Sequence, residues 1–388
     1  MDIFHKKKLG DVCNFTQGEQ IASKDTIKEL KPGYIRYIYI RDLFTNKYPV
    51  FVKDEYPNKL LSLGDIVMVN TGNTSGSVYK AKEGVLCNNA FKIAIKESKY
   101  DTLDKNFLWA YLNSDAREKM LKRLFNPAGQ PHVGHKNVAR LEIGLPPLPE
   151  QQKIAKILST WDKAISTTEA LIDNSKQQKK ALMQQLLTGK KRFAGFEGEW
   201  EEVHLKNCVT FLNGKRKPIK QEERANIQGI YPYYGATGII DYVNDFIFDE
   251  ELILLGEDGE NILSRALPHV FIINGKTWVN NHAHVLKANN NMNPTFLCMY
   301  LESLDYRKFN SGSAQPKLNK AVCEKIPVRV PIKEEQQKIA SVLTNADKEI
   351  ELLEQQLADL KQEKKALMQQ LLTGKRRVKT DESEAVWA

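Results

Sequence analysis

The stretch EQQKIAKILSTWDKAISTTEALIDNSKQQKKALMQQLLTGK occupies residues 150–190, and EQQKIASVLTNADKEIELLEQQLADLKQEKKALMQQLLTGK occupies residues 335–375. Both copies begin with EQQKIA and end with KKALMQQLLTGK, and every position of the first copy is matched in the second at one constant offset. No residue has been gained or lost between the two ends. The constant length indicates a segment whose dimensions matter to the structure.

Both copies carry apolar residues at alternating spacings of four and three, the narrow seam that two helices of a coiled coil bury against each other. Seven of ten seam positions are apolar in the first copy and nine of ten in the second. An isolated surface helix is the alternative, but a seam this long needs a partner. The large apolar seam residues are Ile154, Leu158, Trp161, Ile165, Ile172, Leu182, Leu186, Ile339, Leu343, Ile350, Leu353, Leu357, Leu360, Leu367 and Leu371.

Helix signals bound each copy. Pro149 and Pro331 mark the starts, and Gly189 and Gly374 mark the ends, where glycine supplies a left-handed cap. The basic residues that follow each stop complement the helix dipole. These signals predict long helices over residues 149–189 and 332–374, each roughly 57 Å long at about 1.5 Å per residue.

Composition restricts the class of protein. A chain of 388 residues with 41% hydrophobic and 27% charged residues is typical of a globular protein of two or three domains. No run of eighteen apolar residues is present and the start lacks a signal peptide core, so we expect a cytoplasmic protein without membrane contact. The five scattered cysteines fit reduced thiols. The net charge of +9 favours a polyanionic partner.

The segments that precede the two helices also resemble each other, in the same order along the chain. This predicts two similar domains, residues 1–148 and 204–331, with a linker at 190–203 and a flexible tail at 375–388. The matching segments are LGDVCNFTQG (9–18) with LKNCVTFLNG (205–214), GDIVMVNTG (64–72) with EELILLGEDG (250–259), NFLWAYLNS (106–114) with TFLCMYLES (295–303), and GQP (129–131) with AQP (314–316).

The order domain, helix, domain, helix predicts an α+β fold of two similar mixed α/β domains. They would be separated by an antiparallel two-helix coiled coil with pseudo-twofold symmetry. Complete overlap of the helices pairs Trp161 with Lys364 in a cation–π contact and sets Lys179 opposite Ala346.

The chain resembles the specificity (S) subunit of type I restriction-modification systems. The resemblance rests on the EQQKIA and LLTGK helices, the linker RFAGFEGEW at 192–200 and YPYYGATG at 231–238. The first domain has no clear counterpart of YPYYGATG, and its nearest segment is YIRYIYIRD at 34–42.

The resemblance implies a non-catalytic subunit with two target-recognition domains, each reading one half of a split double-stranded DNA sequence. Its partners would be two adenine methyltransferase (M) subunits and the restriction (R) subunits. S-adenosylmethionine, magnesium and ATP would be bound by those partners and no cofactor by this chain. A helix of about 57 Å spans about 17 base pairs, and domains folded inward would suit half-sites about 10 base pairs apart.

Candidate DNA-binding residues are basic, amide and aromatic side chains near glycine-rich loops, for which solvated or structural turns are the alternative. Arg216 is the first choice for base reading, since a guanidinium binds guanine edges bidentately and amides read adenine. Arg36 and Arg41 alternate with Tyr37 and Tyr39, which predicts a strand with the arginines on one face. The candidates are Lys215, Arg216, Lys217, Lys220, Tyr233, Tyr234 and Thr237; Gln315, Lys317, Gln130 and His132; Asn70, Thr71, Asn73 and Thr74; and Arg36 and Arg41.

Motifs for catalysis are missing from the sequence. It has no GxGxxG after a strand and no [DN]PP[YF] tetrapeptide, and GKT at 275–277 lacks the glycine of a phosphate-binding loop. Asp258 and Glu260 have no lysine at nuclease spacing, and the histidines lack further ligands at zinc spacing. We therefore predict no catalytic and no metal-binding residues. The rival hypotheses are a coiled-coil interaction scaffold without DNA binding and an enzyme with an unrecognised site.

Overall fold

The computed structural model describes residues 4–123, 132–312 and 315–380. The chain divides into two compact units. Unit 1 comprises Met1–Glu169 and Gln356–Ala388, and unit 2 comprises Ala170–Gln355. Each unit contains one domain together with part of both long helices, so the unit boundaries fall inside the helices.

The two halves of the chain contain helices and strands in a similar order. The first half contains β1 (His5–Lys8), α1 (Leu9–Val12), β2 (Cys13–Gln17), β3 (Tyr34–Ile38), β4 (Val50–Lys53), β5 (Leu60–Leu61), β6 (Ile66–Val69), β7 (Val78–Lys80), β8 (Gly84–Leu86), β9 (Ala90–Ile95), α2 (Lys105–Leu112), α3 (Asp115–Lys122), α4 (His135–Val138), β10 (Glu142–Leu145) and α5 (Leu148–Leu186). The second half contains β11 (Glu201–His204), α6 (Leu205–Cys208), β12 (Val209–Phe211), α7 (Gln221–Ala225), β13 (Gln228–Tyr234), β14 (Ile239–Val243), β15 (Phe248–Asp249), β16 (Leu252–Gly256), α8 (Asn261–Ser264), β17 (Val270–Ile273), β18 (Lys276–Val279), β19 (Ala283–Ala288), α9 (Pro294–Glu302), α10 (Lys320–Cys323), β20 (Pro327–Val330) and α11 (Lys333–Leu371).

Sheet topology is the same in the two units, which confirms the predicted duplication. Unit 1 has sheets of order β1-β10, β2-β9-β6-β7 and β4-β3-β8-β5, and unit 2 has β11-β20, β12-β19-β16-β17 and β14-β13-β18-β15. Strand β3 pairs antiparallel with β4 and parallel with β8, as β13 pairs with β14 and β18. Strand β3 is therefore the counterpart of the YPYYGATG strand that the sequence did not identify clearly.

The core of each unit combines the sheet that contains β6 or β16, short helices and the ends of the long helices. Strands β6 and β16 are entirely buried. Helices α2 and α9, which contain the matching segments NFLWAYLNS and TFLCMYLES, bury Phe107, Leu108, Tyr111, Leu112, Phe296, Leu297, Tyr300 and Leu301. Ile154, Leu158 and Leu371 belong to the core of unit 1, whereas Leu186, Ile339 and Leu343 belong to the core of unit 2. Apolar burial therefore fixes the helix ends to the domains.

The two long helices lie within a few residues of the predicted bounds. Helices α5 and α11 each contain 39 residues. They are followed by Gly189 and Gly374, whose φ angles of +71° and +73° are the left-handed conformation expected of the stop signal. All of the large apolar seam residues are buried or half-buried. The periodicity of the sequence thus predicted the buried face of both helices correctly.

The helices run antiparallel within each unit. In unit 1, Lys364 pairs with Asp162 at 2.5 Å and Lys361 with Glu169 at 2.8 Å. Unit 2 repeats both ion pairs at the equivalent positions of the other helix copy, with Lys179 bound to Asp347 and Lys176 to Glu354.

The predicted register is correct to within one residue, because Lys364 and Lys179 bind the neighbours of Trp161 and Ala346. The expected cation–π contact is not among the contacts of the described residues. The Lys364 ammonium binds the Asp162 carboxylate instead, since a carboxylate within reach neutralises the cation more effectively than a ring face.

A glutamine and a glutamate anchor the start of each long helix. Gln151 is buried, accepts a hydrogen bond from Asp104 N at 3.0 Å and donates to the carbonyls of Thr102 and Pro146 at 2.8 Å. Gln336 makes the equivalent bonds with Asn293 N, Asn291 O and Pro331 O. Each side chain therefore satisfies three backbone groups where the helix enters the domain.

The preceding glutamates, Glu150 and Glu335, are also buried. Arg377 binds Glu150 through two nitrogens at 2.8 and 2.6 Å, and Arg192 binds Glu335 at the same two distances. Both pairs are bidentate, the geometry in which a guanidinium holds a carboxylate most strongly. Each pair joins the start of one long helix to the residues that follow the other.

The linker and the start of the tail are anchored as well. Trp200 at the end of the linker is buried, stacks edge-on against Phe296 at 6.2 Å and covers Gly189. Val378 donates its backbone N–H to Glu150 at 3.0 Å, so the tail predicted to be flexible is fixed at its first residues. Residues 381–388 of that tail lie outside the described residues.

We predict that Gln151→Leu destabilises unit 1 by at least about 2 kcal/mol, since an unsatisfied buried polar group costs about 1–3 kcal/mol and three backbone groups lose their partner. Urea unfolding measures the change. Gln152→Leu, at an exposed neighbouring position, is the matched control and should change stability by less than about 0.5 kcal/mol. Equal effects of both variants would contradict the anchoring role.

We predict that Arg192→Ala destabilises unit 2, because it leaves the Glu335 carboxylate buried without a cation. Lys191→Ala, at the exposed adjacent residue, should have almost no effect. The double variant Arg192→Ala/Glu335→Gln should recover much of the loss, since no charge remains buried. Thermal unfolding of the four proteins tests this, and a double variant as unstable as Arg192→Ala would refute the explanation.

Candidate nucleic-acid interface

In each unit a glycine-rich loop follows the buried central strand, and a second segment of the chain crosses it. Val133 N donates to Asn70 O at 2.8 Å in unit 1, and Leu318 N donates to Glu257 O at 2.7 Å in unit 2. Antiparallel bridges also join Thr71 to His132 and Asp258 to Lys317. We call this meeting point of residues 70–76 with 132–133, and of 257–261 with 315–318, the loop junction.

The same backbone geometry shapes both loop junctions. Gly72 has a φ angle of +94° and Gly259 one of +103°, left-handed values that glycine adopts without strain. The junction explains why QP recurs at the same offset as the long helices, because the residue after each QP forms the bridge. It brings together the predicted polar loop and His132 in unit 1. Gln130 lies outside the described residues, and Gln315 is exposed.

The unit 1 junction carries neutral polar side chains. Asn70 is buried, donates to Asn88 O at 3.3 Å and accepts from the Thr71 hydroxyl at 2.9 Å. The Thr71 hydroxyl also lies 3.2 Å from His132 Nδ1. Asn73 and Thr74 are exposed. Asn70 therefore supports the loop from within, and Asn73 and Thr74 remain candidates for base contact.

The unit 2 junction carries charged side chains. The Glu257 carboxylate binds Arg216 Nη1 at 2.6 Å and lies 3.6 Å from Lys317 Nζ. Arg216 also donates to the carbonyls of Ala283 at 2.8 Å and Asn213 at 3.1 Å. The first-choice base reader is therefore tied into the interior of unit 2. These contacts favour a structural role for Arg216, because its Nε and Nη1 donors are already bonded.

Charge at the unit 2 junction is balanced internally. Burial raises the pKa of Glu257, but the hydrogen bond from Arg216 and the charge of Lys317 outweigh it, so the pKa lies below its ordinary value. Burial lowers the pKa of His284, whose Nε2 donates to Leu318 O while Nδ1 accepts from Asn213. His284 is thus a neutral core histidine. His282 is exposed and pairs with Asp258 at 2.9 Å.

The remaining candidates of unit 2 divide into surface and interior. Lys215, Lys217 and Lys220 are exposed. Tyr233 is buried, with its hydroxyl accepting from Ile219 N at 2.9 Å, so it is a core residue rather than a DNA contact. Tyr234 and Thr237 are half-buried.

In unit 1 the predicted alternation of arginines and tyrosines is wrong. Strand β3 ends at Ile38, and Arg41 lies on the 3-10 turn Ile40–Leu43, where its guanidinium stacks on the Tyr39 ring at 4.8 Å. Arg36 pairs with Asp42 at 2.9 Å. The turn breaks the period of two that places alternate residues on one strand face.

Sequence reasoning selected Arg36, Arg41, Tyr233, Tyr234 and Thr237 on the two hairpins beside the loop junctions but missed the exposed apolar side chains there. The connection between β3 and β4 and the hairpin β13–β14 expose large apolar side chains, among them Phe44, Tyr48, Ile230 and Ile240. Composition alone carries no signal for this exposure, because isoleucine and phenylalanine at strand positions are normally read as core. Within residues 4–123, 132–312 and 315–380, no three His, Cys, Asp or Glu side chains cluster as metal ligands.

The chain is similar in sequence to known proteins over most of its length. A family model described as the type I restriction modification DNA specificity domain matches residues 1–175 and 197–362. The MjaVIII type I restriction enzyme specificity subunit of Methanocaldococcus jannaschii is 27% identical, over 96% of this chain and 92% of that protein. The putative MjaX specificity subunit of the same organism is 26% identical, over 94% and 88%.

Solved structures give the same fold. The S subunit of a type I restriction-modification system from M. genitalium superposes with a TM-score of 0.62 at 18% identity, covering 95% of this chain and 96% of that one. The HsdS subunit from Thermoanaerobacter tengcongensis superposes with a TM-score of 0.51 at 16% identity, over 96% and 97%. At this identity the likeness concerns the fold.

We predict opposite consequences for two neighbouring residues of unit 2. Arg216→Ala removes the main partner of Glu257 and should destabilise the protein. In the wild type the folded pKa of Glu257 lies below 4.5, so its stabilising contribution is present above pH 4.5 and is lost as the pH falls through the folded value. In Arg216→Ala, the increase in the free energy of unfolding from about pH 4 to pH 7 should therefore be smaller than in the wild type. Urea unfolding at about pH 4 and pH 7 measures the difference.

Lys215→Ala is the matched control for Arg216→Ala. It should leave the unfolding free energy unchanged and reduce the slope of log Kd for DNA against log salt by about 1, as expected for one lost phosphate contact. If Arg216→Ala altered base preference with full stability, the structural role assigned to Arg216 would be wrong.

Proposed function

Because this chain belongs to the type I restriction-modification DNA specificity family, we propose that its two units read the two parts of one split DNA target for a methyltransferase and restriction complex. The DNA specificity function and the two target-recognition domains follow from the family. The single observation that supports division of the work is the pair of loop junctions. The two junctions have the same backbone pairing but different side chains. Unit 1 presents neutral amides there, and unit 2 presents charged groups.

The two copies of the long helix bear on which partner subunits bind the chain and how many of them bind. Specificity subunits act with partner subunits and DNA, and we propose two methyltransferase subunits and the restriction subunits as those partners. The helix copies support a stoichiometry of two, since identical ends EQQKIA and KKALMQQLLTGK occur twice. A surface that occurs twice suits two copies of one protein. One structural neighbour comes from work on complex assembly of the type I restriction-modification system.

We propose that the chain supplies recognition and its partners supply chemistry. The adenine to be methylated would be flipped into a partner's pocket, because a stacked base is inaccessible to an enzyme. S-adenosylmethionine, magnesium and ATP would be bound by the partner subunits. The complex would act in the cytoplasm. None of the helices in the described part of the chain has the length and apolar character of a membrane span.

Family membership disfavours the interaction scaffold without DNA binding. An enzyme with an unrecognised site is tested directly by incubating the purified chain with DNA, S-adenosylmethionine, magnesium and ATP. We expect neither methylation nor cleavage until methyltransferase and restriction subunits are added. Robust activity of the chain alone would refute the non-catalytic role.

We predict steep salt dependence for DNA binding by the chain assembled with methyltransferase subunits. If about 6–10 phosphates are contacted, affinity should fall by about 10³–10⁵ between 50 and 200 mM salt. Fluorescence anisotropy with a labelled duplex measures this. Selection from random duplexes should then yield two separated conserved blocks, and a single block would contradict reading by both units.

A further inference from the structure

Exposed apolar side chains concentrate on the same hairpin of both units. We call residues 34–53 in unit 1 and 228–243 in unit 2 the tip hairpins; each contains an antiparallel strand pair, β3–β4 or β13–β14. In unit 1, Phe44 is 59% and Tyr48 67% exposed, and in unit 2, Ile230 is 79% and Ile240 53% exposed. Ile239 and Tyr242 are exposed beside them. Two equivalent places with this unusual exposure indicate a binding surface.

The unit 1 tip hairpin is held in one conformation. Asp42 is buried and its carboxylate accepts from Arg36 Nη2 at 2.9 Å and from Tyr39 N at 3.1 Å. Lys82 Nζ donates to Asp42 O at 2.6 Å and to Asn46 Oδ1 at 3.0 Å. These bonds fix the turn from which the exposed rings project, so binding would cost little ordering entropy.

The unit 2 tip hairpin is continuous with the loop junction. Asn280 N donates to Tyr234 O at 3.1 Å, and Asn280 Oδ1 accepts from His282 N at 2.8 Å. His282 in turn pairs with Asp258 of the glycine-rich loop. In unit 1, Cys87 N makes the equivalent bond to Ile38 O at 3.1 Å. Each tip hairpin is therefore bonded to the turn that follows the parallel strand beside it.

Cations flank both tip hairpins. In unit 1, Arg41 is exposed and stacks on Tyr39, and Lys47 is exposed, whereas Asp42 is buried and paired. In unit 2, exposed Lys276 lies 6.0 Å from the ring centroid of Tyr231, a residue of the tip hairpin. Apolar groups bordered by positive charge match a duplex, which presents thymine methyl groups on its base edges between rows of phosphates.

The difference between the two tip hairpins separates DNA from a protein partner. They share strand pairing, yet unit 1 presents aromatic rings on an eleven-residue connection (39–49). Unit 2 has a four-residue connection (235–238) and presents isoleucines on the two strands themselves. A surface for two copies of the same subunit must be alike in both units, as the helix ends are. A surface that reads two different base sequences must differ.

We propose that the tip hairpins read bases in the major groove, each in its own half-site, with the exposed apolar side chains contacting thymine methyl groups. The thymine methyl is the apolar mark that distinguishes base pairs in that groove. The inference rests on the proposed function and adds the element and the chemical group that are read. Phe44 and Tyr48 contact one half-site, and Ile239 and Ile240 contact the other.

The test uses the full chain assembled with methyltransferase subunits and selection from random duplexes. Phe44→Ala/Tyr48→Ala should relax preference for thymine in one conserved block, and Ile239→Ala/Ile240→Ala should relax it only in the other. Affinity for the wild-type target should fall about tenfold in each case, the effect of one mismatched base pair. Tyr100→Ala, an exposed aromatic of unit 1 outside the hairpin, is the matched control and should change neither block.

A second experiment changes the DNA, so it can be applied to the unaltered protein. Deoxyuridine replaces thymine at the affected positions of the target and removes only the methyl group. The wild-type complex should then lose about the same factor in affinity as the variant, and the variant should lose nothing further, because coupled effects do not add.

Three outcomes would overturn the inference. Both blocks could stay unchanged in the variants, or deoxyuridine could cost the variants as much as the wild type. The variants could also fail to assemble with methyltransferase subunits while the preference of the remaining complex is unchanged, which would make the tip hairpin a docking surface for that partner. A wild-type complex without any sequence preference would refute the proposed function itself.

Discussion

In each unit, a buried glutamate at the start of one long helix pairs bidentately with an arginine just after the end of the other long helix. This ion pair determines how the helix ends are arranged in the unit. Glu150 with Arg377 and Glu335 with Arg192 tie the start of one long helix to the residues that follow the other. The neighbouring Gln151 and Gln336 satisfy the backbone where the helix enters the domain. A buried carboxylate is tolerated only with its partner, so the pairing selects one arrangement of the helix ends.

The two units keep the same contacts in the long helices and differ in the side chains of the loop junctions and tip hairpins. The ion pairs of the helices recur at equivalent positions of the two copies, as do the glutamine anchors and the glycine stops. The loop junctions and the tip hairpins keep their backbone pairing and change their side chains. A reader of split targets needs this division, because the frame can be common to both units while base contacts depend on the particular half-site.

Arg216 illustrates why residue type alone selects poorly among DNA contacts. A guanidinium suits both a guanine edge and a buried carboxylate, and in unit 2 it is held by Glu257 and backbone carbonyls. Asn70 in unit 1 likewise supports its own loop. The candidates left at the surface include the lysines of 215–220, Asn73, Thr74, Gln315 and the exposed residues of the tip hairpins.

The helix repeat, its seam, its antiparallel register to within one residue and the duplication of the domains could all be predicted from the order of residues. Those features are periodic or repeated, and periodicity reports which face of a helix is buried. Contacts in the folded chain were needed to show that Glu150 and Gln151 are anchors and that β3 pairs as β13 does. They also showed that Tyr233 is a core residue, whereas Phe44 and Ile240 are exposed. These properties depend on contacts between segments far apart in the chain, and a local pattern of residue types contains no information about which distant group fills the space beside a side chain.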